Sequence, residues 1–153
     1  MPIADRLREL NLTLPPAPQP LASYVPAVQT GNLLVVSGQV PLESGRVVHP
    51  GKLGAELSVE QGQEAARLCV LNGLAAAQQA LGSLDRVRRV VRLVGYVASA
   101  AGFSQQPAVV NGASDLLAEI FGEAGRHARV AIGVNELPLG CAVEIEFLFE
   151  VAE

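Results

Sequence analysis

The sequence predicts an α+β fold in which two helices pack on one face of a mixed sheet. Three observations carry this. Two stretches, near 58–81 and 107–122, repeat apolar residues at helical spacing. The stretch Cys141–Val151 alternates strictly, with Val143, Ile145, Phe147, Phe149 and Val151 on one side and Glu144, Glu146, Leu148 and Glu150 on the other. Strands, helix, strand, helix and a strand pair follow one another along the chain, which layers helices against a sheet.

In chain order, residues 3–10 fit a short amphipathic helix with Ile3, Leu7 and Leu10 on one side. The run Leu14-Pro15-Pro16-Ala17-Pro18-Gln19-Pro20 follows, and proline there removes backbone donors and forbids regular structure. Tyr24–Val28 and Leu33–Val40 read as strands joined by Thr30-Gly31-Asn32. Glu43-Ser44-Gly45-Arg46 reads as a turn. Ser58-Val59-Glu60-Gln61 forms a capping box, and Gly82 supplies the left-handed stop after Leu81. Ala65, Leu68, Cys69, Asn72, Ala75 and Ala76 line one stripe of that helix. Arg86–Val97 is β-branched, with Val87, Val91, Leu93 and Val97 sharing one parity. Pro107 suits the first turn of the second helix, whose apolar face comprises Val109, Val110, Ala113, Leu116, Leu117, Ile120 and Phe121. Arg129–Glu136 is the penultimate strand. A tight turn at Pro138-Leu139 would pair it with the last strand, setting Arg129 opposite Leu148 and Gly133 opposite Glu144. That register puts Arg129 and Glu144 on the face away from the helices, about four residues apart, or roughly 13 Å. One chain does not bring them together easily, whereas a neighbouring subunit could; the plainer reading is a solvated charge pair.

Composition narrows the function. The chain has 153 residues, is 50% hydrophobic and has a mean hydropathy of +0.33. That is apolar for so small a chain, and part of the sheet's second face is expected to meet other subunits. No apolar run reaches the ~18 residues of a membrane span. The first residues carry acid rather than a basic-then-apolar leader, so a cytoplasmic, reducing location is expected. The net charge of −4 and the lack of Trp disfavour a nucleic-acid binder. Arg86, Arg88 and Arg92 form either a polyanion stripe or, in the plainer reading, a solvated or interface-facing strand end. Lys52 is the only lysine and lies in a Gly-rich loop, a poor setting for nucleophilic chemistry. Cys69 and Cys141 make neither a disulfide framework nor a zinc site; Cys69 reads as packing. His49 and His127 lack metal-ligand spacing and read as surface residues. Glycine-rich phosphate loops and a GxSxG elbow are absent.

Tyr24-Val25, Ser37-Gly38-Gln39-Val40-Pro41, and Arg129 followed by Leu137-Pro138 and Val143-Glu144-Ile145-Glu146 resemble the Rid family. These are reactive intermediate deaminases of YjgF type, often labelled endoribonuclease L-PSP or translation inhibitor. The resemblance runs from about Tyr24 to the end. It implies a chorismate-mutase-like fold over residues 1–153, with 1–23 as a Pro-rich arm. It also implies a homotrimer with clefts between subunits. By that resemblance Arg129 binds a substrate carboxylate, Glu144 holds a water, and Tyr24, Ser37 and Gly38 line the cleft. Asn111 matches a family asparagine. Ala131 stands where the family often has cysteine, so a mechanism needing that thiol is excluded. The loop Ala98–Phe103 departs from the family pattern and is expected to reshape the pocket.

The expected activity is hydrolysis of small 2-imino acids to 2-keto acids and ammonia. Arg129 would grip the carboxylate and Glu144 would position or deprotonate water. No metal or cofactor is needed. The alternative is a non-catalytic protein that binds a small carboxylate such as a keto acid. A ribonuclease fits the acidic charge and the missing histidine pair poorly.

Overall fold

The computed structural model describes residues 1–17, 19 and 22–153. Pro18 and Pro20 of the proline-rich run lie outside the described residues. Three helices, α1 (Ile3–Glu9), α2 (Val59–Leu81) and α3 (Gln106–Phe121), accompany a five-stranded sheet. The sheet comprises β1 (Ala27–Thr30), β2 (Leu33–Gln39), β5 (Val87–Ala98), β6 (Ala128–Val134) and β7 (Val143–Val151). A small hairpin, β3 (Leu42–Glu43) and β4 (Arg46–Val47), stands apart. Its two-residue loop, Ser44-Gly45, takes positive φ at both positions, as tight hairpins favour.

The local signals act as expected. The Ser58 side chain accepts from the Gln61 backbone, and the Gln61 side chain returns the bond. Gly82 closes α2 at φ 83°. Pro107 occupies the first turn of α3, and Val109, Val110, Ala113, Leu116, Leu117 and Ile120 are buried. β7 alternates buried and half-buried residues throughout its length, and Phe147 and Phe149 stack at 5.8 Å beneath α2. β1 starts later than predicted. Pro26 lacks the donor that ladder pairing needs, and Tyr24 lies in a turn before the strand.

The strand order β1-β2-β7-β5-β6 overturns the expected terminal hairpin. β5 runs between β6 and β7, parallel to the first and antiparallel to the second. The β5–α3–β6 crossover sets β6 beside β5 on its open edge, leaving β7 to pair with β2 and β5. Arg129 therefore pairs with Leu93, and Glu144 with Tyr96. Leu93 is fully buried beneath the helices, so Arg129, Ala131 and Gly133 face the helices, and Val130 and Ile132 face outward with Glu144. This reverses the predicted facing of β6. β6 is an edge strand, and under α3 it has room only for small residues and an arginine that reaches past them. A Cβ at Gly95 would lie 2.6 Å from Val110, and one at Gly133 would meet Gln106 and Ser99.

β5 also departs from simple alternation. Irregularities between Val87 and Arg89 and between Val90 and Arg92 break its register. Val90 is consequently buried and Val91 is not. The face opposite the helices is more apolar than expected: Val28, Val35, Val130 and Ile132 are 53%, 47%, 37% and 42% exposed. No helix among the described residues is long and apolar enough to cross a membrane.

α2 and α3 approach each other through glycine. A Cβ on Gly112 would lie 2.8 Å from Gln63 Cα, and backbone cannot yield as a side-chain tip can. Gly112→Val is expected to lower the unfolding free energy by about 2 kcal/mol or more, read as a shifted urea midpoint.

Candidate functional site

One cleft of about 370 Å³ opens where the segment before β1 passes the ends of β2 and β7. Tyr24, Pro26, Val40, Leu42 and Pro138 give it apolar walls, and Glu144 reaches it from the sheet. The β2–β7 register shifts between Val36 and Gln39, a bulge that re-aims Ser37 and Gly38. Gly38 is the residue that makes room: a Cβ there would overlap the Glu144 carboxylate. The Ser37 hydroxyl donates to Val25 O at 2.7 Å and its backbone N–H to Pro26 O at 2.9 Å. Those bonds tie the Tyr24 segment to β2. Asn72, buried in α2, donates to Val40 O and Leu42 O, both at 3.0 Å, and so fixes the opposite wall.

Burial pushes the Glu144 carboxyl above the usual carboxylate range, and the neighbouring Glu146 carboxylate adds to the shift. Tyr96, also on this face, donates to Glu146 Oε1 at 3.3 Å. The thiols of Cys69 and Cys141 are buried and both donate to Val143 O. Burial raises both, Cys141 to about 11, which leaves them protonated and unreactive.

A second, more polar cleft of about 320 Å³ lies between α3 and the start of β6. Arg129 lines it with Asn111, Ser114, Asp115 and His127. Arg129 Nη1 donates to Ser114 Oγ at 3.0 Å and Nη2 to Pro107 O at 3.1 Å.

The structure thus sorts the predicted residues into two groups. Tyr24, Gly38 and Glu144 share the first cleft, with Ser37 supporting it. Asn111 and Arg129 share the second. Ala131 lies beneath the helices, packed against the core. Arg129 and Glu144 sit two strands and three residues apart, roughly 14 Å at the backbone and on opposite faces. The loop at 98–103 contributes to neither cleft; Phe103 packs against Gly54 and the core. Lys52 pairs with Glu136 at 3.1 Å. Arg86 donates to Leu81 O and Ala152 O, so that member of the arginine group ties the end of α2 to the segment after β7. His49 bonds Glu64 at 2.6 Å. Among the described residues no three His, Cys, Asp or Glu side chains gather as a metal site.

Sequence reasoning gave no site role to Asn72, Ser114 and His127. Asn72 offered a signal, being a polar residue on the apolar stripe of α2. Ser114 and His127 offered none, because what joins them to Arg129 is a contact between α3 and the start of β6.

A mixed sheet layered on one face by two long helices places the chain in the chorismate-mutase-like class of α+β folds. The chain belongs to the YjgF family: residues 4–151 match the family described as "YjgF/chorismate mutase-like, putative endoribonuclease". It is 48% identical over 150 residues to protein TCP17 of Trypanosoma cruzi, covering 97% of this chain and 94% of that one. A crystal structure from Shewanella oneidensis, titled a "putative endoribonuclease", superposes with a TM-score of 0.95 at 36% identity, covering 99% and 100% of the two chains. A 2-iminobutanoate/2-iminopropanoate deaminase of Dermatophagoides farinae is 30% identical over 135 residues, covering 88% and 91%. The family therefore includes an imine deaminase as well as proteins named as endoribonucleases.

Proposed function

We propose that this protein hydrolyses small 2-imino acids to 2-keto acids and ammonia, in clefts completed between copies of the chain in a homotrimer. The observation that carries the reading is the pair of half-sites. Glu144 is held in an apolar cleft with a raised pKa, and Arg129 is held separately, too far away to serve the same small substrate within one chain. A second copy that meets the apolar sheet face with its own β6 edge would set the Arg129 and Asn111 cleft of one protomer against the Tyr24 and Glu144 cleft of the next. The relation to a 2-iminobutanoate deaminase supports the substrate class.

The chemistry asks little of the protein. A protonated imine is already electrophilic. Arg129 grips the carboxylate through its planar fork. Glu144 takes a proton as the water oxygen bonds to the imine carbon, while the C=N π pair moves to nitrogen. The carboxyl then returns that proton to the amine nitrogen; as the C–N bond breaks and ammonia leaves, the carboxylate takes the hydroxyl proton, the carbonyl forms, and the proton passes to the departing ammonia as ammonium. Tyr24 and Gly38 shape the wall, and Ala131 leaves no thiol to take part. The acidic chain and the internally bonded Arg86 disfavour RNA as the substrate.

An imine generated in situ by an amino-acid oxidase tests this. Faster release of keto acid and ammonia with the protein is expected. Wild-type turnover no greater than that of Arg129→Ala would overturn it, and keto-acid binding without ammonia release would make the protein a binding module instead.

Gly38→Ala isolates the role of Glu144. The clash falls on the tip of a flexible side chain, so the backbone is expected to hold and the melting temperature to move little. The carboxylate must swing away, and kcat is expected to fall about 10²-fold, the lower end of the range for a lost general base. Unchanged kcat would mean that the carboxylate does no work where it lies.

A further inference from the structure

We infer that Ser114 and His127 are positioning residues that hold the Arg129 guanidinium in place before an anionic ligand arrives; the inference rests on the reading of Arg129 as the carboxylate grip. The argument begins at Gly125. Its carbonyl can only accept, and His127 Nδ1 lies 2.7 Å from it, so Nδ1 carries a proton. In the neutral ring Nε2 is then an acceptor. Ser114 Oγ lies 2.9 Å from Nε2 and donates its hydroxyl proton there. That choice turns the remaining lone pairs of Oγ toward other donors, and Arg129 Nη1 takes one at 3.0 Å. The other terminal nitrogen, Nη2, is held by Pro107 O at 3.1 Å.

The guanidinium is thus fixed at both ends by α3, through Pro107 in its first turn and Ser114 two turns on. An arginine has five N–H donors. The bonds to Ser114 and Pro107 take two, and three remain for a carboxylate. Fixing the side chain beforehand spares the ligand the entropy of ordering it. The clamp also has a competitor to exclude. Asp115 lines the same cleft, next to Ser114 on α3, and a released guanidinium would have that carboxylate as a partner. Arg126 lines the cleft as well but points its ion pair at Glu123.

The test compares Ser114→Ala, His127→Ala and His127→Gln with Arg129→Ala. Calorimetric binding of 2-oxobutanoate and steady-state imine turnover are the readouts, and a thermal melt confirms that each variant is folded. Ser114→Ala and His127→Ala are expected to weaken 2-oxobutanoate binding and raise KM roughly tenfold, with kcat within about twofold of wild type. Gln keeps an acceptor near the place of Nε2, so His127→Gln is expected to restore most of that affinity. A packing role alone would not produce this split or this rescue. Unchanged binding in folded Ser114→Ala and His127→Ala, or a fall in kcat at constant KM, or failure of His127→Gln to outdo His127→Ala, overturns the inference. If those variants bind as wild type while Arg129→Ala does not, the clamp fails and the arginine grip stands. If Arg129→Ala itself binds as wild type, or the wild type binds no 2-oxobutanoate, both fail. Clamp-dependent binding without ammonia release sinks the deaminase reading and keeps the clamp.

Discussion

If the protein is the proposed deaminase, Arg129→Ala is expected to lower kcat/KM for a 2-imino acid by roughly 10²- to 10³-fold, the cost of removing one partner of a desolvated, hydrogen-bonded charge pair. The loss should come without unfolding. Arg129 sits half-buried on an edge strand, and its two bonds go to α3 at the protein's surface rather than into the core. The melting temperature is expected to stay within a few degrees of wild type. Arg129→Lys is expected to restore only a small part of the activity, because an ammonium keeps the charge but cannot present two parallel donors to one carboxylate. The same variant tests the shared cleft. Arg129→Ala and Glu144→Gln are each expected to be nearly inactive alone. Mixed in equal amounts under conditions that exchange subunits, they should regain about a quarter of wild-type activity, because random assembly pairs an intact Arg129 with an intact Glu144 at one interface in four. Mixtures as inactive as their parents would mean that both groups act from one chain, or that the chain acts alone.

What the sequence made legible was local. The capping box at Ser58, the stop at Gly82, Pro107 at the start of α3 and the alternation of β7 each concern residues within a few positions of one another, and each appears where expected. The sheet order was not legible, because β7 pairs with β2 and β5 across more than forty intervening residues. Leu137–Gly140 resembles a hairpin turn but instead carries the chain from the edge of the sheet back to its middle. The facing of β6 shows how a clean pattern misleads. Val130, Ile132 and Val134 look like a core face, and Arg129, Ala131 and Gly133 like a solvent face. Under α3, however, what matters is size, and the small residues lie inside. The apolar set is left on the open face. For the two clefts, motif resemblance named Tyr24, Gly38 and Glu144, which line one, and Asn111 and Arg129, which line the other. The distribution between the clefts depended on strand order, and the Ser114–His127 pair depended on a helix–strand contact that no linear spacing fixes.

Glu144→Gln is expected to abolish turnover, by about 10³-fold or more, and at the same time to raise the melting temperature at neutral pH. The two effects have one cause. Burial, reinforced by Glu146, disfavours the ionised form of Glu144 and lifts its folded-state pKa above the unfolded value. Above the folded pKa the carboxylate is charged in both states, and the folded state bears the full penalty. As pH falls through that pKa the folded protein binds its proton first, and the penalty is relieved. Glutamine has no charge to desolvate, so its advantage over wild type should be greatest at neutral pH and shrink as the pH enters the carboxylate range. Activity should follow the opposite course. A base must be ionised, so kcat falls on the acid side as Glu144 takes up its proton, with a midpoint above that of an ordinary glutamate. Glu146→Gln removes the second cause of the shift and should move that acid limb to lower pH while leaving burial to hold Glu144 above its ordinary value. Thermal melts and kcat profiles across the same pH series read both consequences. A Glu144→Gln protein less stable than wild type at neutral pH, or an acid limb indifferent to Glu146, would show that the carboxylate is paired and comfortable where it lies, and a comfortable carboxylate is a poor base for water.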